Sequence, residues 1–80
     1  MKRSKYHDYC NSASIVLLSA ESAKRQNILD WRMLQGYLRH LKEIADEAEK
    51  DPEIGYDMFF LNYHMEAYAN KLVELYESEV

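Results

Sequence analysis

Between Met1 and Val80 the chain carries one proline, Pro52, and two glycines, Gly36 and Gly55. A β-sandwich or barrel needs a turn about every 8–12 residues, and turns at that density draw heavily on glycine and proline. Three such residues in 80 cannot supply them, so the chain is restricted to a few long helices with short connections. The staples of other small domains are missing too. Cys10 is the only cysteine, which removes an internal disulfide and any paired Cys-x-x-Cys zinc site. With 48% hydrophobic residues the chain can build a core, but a domain of this size hides only about 60% of the surface its unfolded chain exposes. The expectation is a single all-α domain over 1–80, a small three-helix fold that gains stability by association.

Periodicity predicts helices over approximately 4–25, 27–50 and 52–78. In the first, Tyr6, Tyr9, Ala13, Val16, Ala20 and Ala23 recur at steps of three and four, the spacing of one helical face. Alanine and serine dominate around it, so a neighbouring helix can approach closely. Ile15 and Leu18 point away from that stripe and need cover of their own. The short apolar run Ser14–Leu18 also fits a strand.

The second segment offers Asn27 as N-cap, with Asp30 in the first turn to meet the helix dipole. Trp31, Leu34, Leu38, Leu41, Ala45 and Ala48 form its apolar stripe, widened by Met33, Tyr37 and Ile44. Gly36 costs about 1 kcal/mol inside a helix, which points to a close helix contact there. The segment ends before Pro52, which disfavours helical geometry at the residue preceding it.

The third segment begins either with Asp51 as cap and Pro52 in the first turn, or after Gly55. Met58, Leu61, Met65, Tyr68, Leu72 and Leu75 make its core stripe. A second stripe, Tyr56, Phe60, Tyr63 and Ala67, lies about 140° round the same helix. Two apolar faces call for two packing partners. One is segment two, antiparallel to segment three in a long helical hairpin; the other is segment one or a second subunit. Helices of about 33 Å are long for a monomer of this size, so a homodimeric helical bundle is the expected assembly.

Charge is divided along the chain. Up to Arg32 six basic residues face three acids, a balance of +3; from Met33 onward four bases face eleven acids, a balance of −7, giving the net −4. The acids gather around Pro52, at Glu43, Asp46, Glu47, Glu49, Asp51, Glu53 and Asp57. Most runs of this kind are solvated faces; as a contact surface, this one selects a basic partner and repels nucleic acid. The basic residues Lys2, Arg3 and Lys5, with Tyr6 and Tyr9 for stacking, are the alternative, a nucleic-acid contact. Lys2, Arg3 and Lys5 before Ile15-Val16-Leu17-Leu18 also sketch a signal peptide, but four apolar residues are too few for its core. No stretch has the roughly 20 apolar residues of a membrane span, and a cytoplasmic protein is expected.

Catalytic chemistry finds little support. His7 and Cys10 share a helix face as half a metal site, and His40 with Glu43 is a second such pair, but neither has a completing motif. Two glycines rule out a glycine-rich phosphate loop. The units Glu43-x-x-Asp46 and Glu74-x-x-Glu77 have the spacing of an all-α nucleotide pyrophosphohydrolase, but lie near opposite ends of an antiparallel hairpin. The helix–short loop–helix outline resembles the small aspartyl-phosphate phosphatases of the sporulation phosphorelay in shape. Their Ser-Gln-x-x-Asp signature is absent from Glu66-Ala67-Tyr68-Ala69-Asn70-Lys71-Leu72, so the activity is not carried over.

No metal, cofactor or catalytic residue is expected. The reading is a non-enzymatic protein that acts through protein–protein contacts, an inhibitor or adaptor of the phage or mobile-element type. It docks on a basic, nucleic-acid-binding partner through Glu43, Asp46, Glu47, Glu49 and Glu53, with Tyr56, Phe60, Tyr63 and Ala67 as the assembly stripe. The alternatives are a helical DNA- or RNA-binding regulator using Lys2, Arg3 and Lys5, and a structural assembly subunit.

Overall fold

The computed structural model describes residues 5–78, which form three helices and no strand. They are α1 (Lys5–Arg25), α2 (Trp31–Glu49) and α3 (Asp57–Glu77). Each packs against both of the others. Rods of about 30 Å give an elongated body of 40 × 22 × 15 Å with a radius of gyration of 13.5 Å. A chain of this length at ordinary compactness would have about 12 Å.

One core runs along the bundle. Ala13, Val16 and Ala20 of α1 meet Leu34, Leu41, Ile44 and Ala48 of α2 and Leu61, Met65 and Leu72 of α3. Ser14–Leu18 lies in the middle of α1, which removes the strand alternative. Val16 is buried, while Ile15 and Leu18 face water without the cover their hydrophobicity suggests. Trp31 leaves the expected core stripe of α2 and is 57% exposed. As the first helical residue it lies beside Tyr76, at 6.0 Å between ring centroids. Ile44, expected at the flank, is buried instead, because α2 is covered by two helices and its apolar arc widens to match.

The helix ends correct one expectation and decide between two others. Asn27 does not cap α2. It adopts the left-handed conformation, φ 59°, which asparagine tolerates better than most residues. There it closes α1: the Asn27 N–H donates to the Lys24 carbonyl and the Ile28 N–H to the Ala23 carbonyl, both at 3.0 Å. That pair of bonds is the Schellman arrangement. Asp30 is the cap of α2, its Oδ1 accepting from the Met33 N–H at 2.8 Å. At the other end Pro52 is not part of a helix. Asp51 Oδ1 accepts from the Glu53 N–H, Ile54 tucks into the core beneath the turn, and Gly55 turns the chain at φ 55°. Only then does α3 begin. Ser4, Glu79 and Val80 lie outside the described residues.

Gly36 does not mark a close contact. A Cβ placed there meets nothing within 4 Å, because the residue faces outward and is exposed. Gly36→Ala is therefore expected to stabilise the fold by about 1 kcal/mol, read as a higher urea midpoint with an unchanged slope.

Candidate functional site

Two exposed faces stand out. On α2, Glu43, Asp46, Glu47 and Glu49 are all exposed, as is Glu53 in the connection that follows. At 100° per residue, Glu43, Asp46 and Glu47 share an arc of about 100° opposite the buried Leu41 and Ala48. With His40, Lys50 and the edge of Ile44 they line an open depression. Glu49 falls on the flank outside it, and Glu53 lies beyond the helix end. Three of the five acids selected from sequence thus stand together, tempered by Lys50.

The second face is aromatic. Tyr56 is 96% exposed, Phe59 76%, Phe60 57% and Tyr63 71%. Phe59 and Phe60 touch edge to face, with centroids 5.6 Å apart. Ala67 is also exposed and lines a shallow depression with Tyr63, Glu66 and Asn70, which continues the face toward the end of α3. α1 packs on α3 but leaves this stripe in water. Phe59, three residues after Tyr56 and four before Tyr63, fits the helical spacing as well as Phe60 does, yet the sequence stripe holds only Phe60. The adjacent pair Phe59-Phe60 was the available signal.

The basic residues do not form one patch among the described residues. Lys2 and Arg3 lie outside them. Lys5 opens α1, while Lys24 and Arg25 close it about 30 Å away. Lys24 is also engaged, donating from Nζ to the Ser78 carbonyl just past α3.

Other polar groups fasten helices together. The Ser14 and Tyr68 hydroxyls are 3.1 Å apart and join α1 to α3. The Tyr9 hydroxyl donates to Asp51 Oδ2 at 2.9 Å, tying α1 to the connection before α3. The Glu53 N–H and then the Tyr9 hydroxyl hold the Asp51 carboxylate below its usual pKa. The same bond, aided by burial, pushes the Tyr9 phenol up to about 12.

The signs are opposite. The Asp51 contribution is complete above the ordinary carboxylate pKa of about 4 and is lost as pH falls through its depressed folded value. The Tyr9 contribution is complete below about 10 and is lost as pH rises through about 12. Tyr9→Phe should therefore lose stability against wild type at neutral pH, with the difference shrinking toward pH 3. Urea midpoints at the two pH values measure it; a constant difference would contradict the assignment.

Burial raises the pKa of the half-buried Cys10 thiol, with a Tyr6 hydrogen bond acting in the opposite direction. The thiol therefore stays protonated at neutral pH, a poor state for a nucleophile. Among the described residues no three His, Cys, Asp or Glu side chains converge as a metal site. Glu43-x-x-Asp46 and Glu74-x-x-Glu77 are exposed on separate helices. No helix among the described residues is long and apolar enough to cross a membrane. No protein family, curated protein or solved structure matches this chain.

Proposed function

We propose that this chain is a non-enzymatic helical binding protein, an inhibitor or adaptor that docks on a basic, nucleic-acid-binding protein in the cytoplasm. Its scaffold is an antiparallel α2–α3 hairpin with α1 laid along it, and its outer faces make the contacts. The observation that supports this reading is the exposed set Glu43, Asp46 and Glu47, placed opposite the buried side of α2. The core does not need these charges. Fixed on a rigid helix, they attract and orient a basic surface.

Reversing Glu43, Asp46 and Glu47 to lysine changes the formal net charge from −4 to +2, since each exchange adds two. The variant should bind a lysine-rich partner at least about tenfold more weakly at low salt, with its helical circular dichroism intact. Unchanged affinity would remove the acidic face as the contact.

A second reading, self-association into a homodimer, is favoured by the exposure of Tyr56, Phe60 and Tyr63. Sedimentation of wild type against alanine variants at those positions separates it from a monomer.

A further inference from the structure

The outer face of α3 has a composition that narrows what can cover it. Tyr56 at its N-cap, Phe60 and Tyr63 in its first half and Glu66, Glu74 and Glu77 in its second lie within about 70° of the line opposite Leu61 and Leu72. All six are exposed. The one lysine of α3, Lys71, lies on the flank nearest α1, where with Glu74 and Leu75 it lines a groove against Leu17 and Glu21, leaving Glu66 and Glu77 as the acids of this face farthest from it.

At about 200 Å² per aromatic side chain, the exposed fractions of Tyr56, Phe59, Phe60 and Tyr63 amount to about 600 Å². That is at the upper end for the largest apolar patch of a monomer, yet short of the roughly 800 Å² per partner in a standard interface. An occupant that reaches standard size must extend along the helix, and there it meets carboxylates. We propose that this face docks an amphipathic basic helix, apolar along one half of its contact surface and bearing Lys or Arg along the other. The inference rests on the reading of a basic partner given above and supplies its anchor.

A second copy of the chain fits less well. Two-fold pairing at mid-face sets the rings of one copy on the acids of the other. Pairing centred on the rings carries Glu66 of each copy toward the Glu53 end of its neighbour, acid against acid. A basic helix meets neither problem, and its cations also gain from the exposed ring faces. Division of labour follows. The acids of α2, on a different side of the bundle, raise the encounter rate, while the rings of α3 set the lifetime of the complex.

The test uses a synthetic helix-forming peptide of about 18 residues, long enough to span most of α3. One face carries leucines in its first half and lysines in its second; a control carries glutamates for the lysines. Stopped-flow anisotropy should show binding of the lysine form only. Phe60→Ala/Tyr63→Ala should raise the dissociation rate at least about tenfold with the thermal melt little changed. The α2 triple reversal should slow association and leave dissociation within about twofold.

Three outcomes overturn the inference. If the ring variant binds as wild type does while the α2 reversal abolishes binding, the basic partner stands but the anchor is not on α3. If wild type does not bind the lysine peptide, the reading of a basic partner falls as well. If wild type sediments as a dimer that the ring variant dissociates, the face belongs to a second copy.

Discussion

Leu61→Ala is expected to lower the folding stability by about 2–5 kcal/mol. Leu61 is fully buried, as is Leu72 about three turns further along the same face. A domain of 80 residues has roughly 4–12 kcal/mol in total, so this one truncation removes a large share. At about 4–8 °C per kcal/mol for a domain this small, the melting temperature should fall by about 10 °C or more. The neighbouring Phe60→Ala provides the contrast, because Phe60 is already 57% exposed and makes its ring contact with the equally outward Phe59. Its melting temperature should move by only a few degrees. Thermal denaturation followed by helical circular dichroism measures both. Equal shifts would mean that the outer stripe belongs to the fold.

Ala20→Leu should destabilise for the opposite reason. Ala13 and Ala20 are fully buried on α1, and Ala48 on α2. These small residues let the helices lie close, with no room for a longer side chain. Adding a branched side chain to such a packed position costs about 1–3 kcal/mol, although leucine is a good helix former. The loss should therefore appear in the urea midpoint and the thermal melt, with α1 still helical. A stability equal to wild type would show slack in the α1 interface.

The core stripes were legible in the sequence because burial on a helix imposes its period. Leu34, Leu41 and Ala48 recur at seven, and Leu61, Met65 and Leu72 at four and seven; the bundle buries all six. The helix ends were less legible. Asn27 and Asp30 are both cap-forming residue types, and only the backbone shows Asn27 closing α1 while Asp30 opens α2. Gly36 was read from its helix cost, which says nothing of the side it faces; its place on the outer arc with Glu43 was the better clue. The Tyr9–Asp51 bond spans 42 residues and leaves no local pattern. The acidic set was visible as a charge run, but helical rotation splits it, turning Glu49 away from Glu43, Asp46 and Glu47.

The pairing of steering acids with an aromatic anchor is tested most directly by the salt dependence of wild-type affinity for the lysine-bearing peptide. Between about 50 and 500 mM salt, screening shortens the reach of the α2 and α3 carboxylates, while contact with the α3 rings is little affected. Affinity should fall at least about tenfold across that range and then level off at a measurable value. Affinity that does not change with salt, or no binding at the low end, would contradict the proposed role.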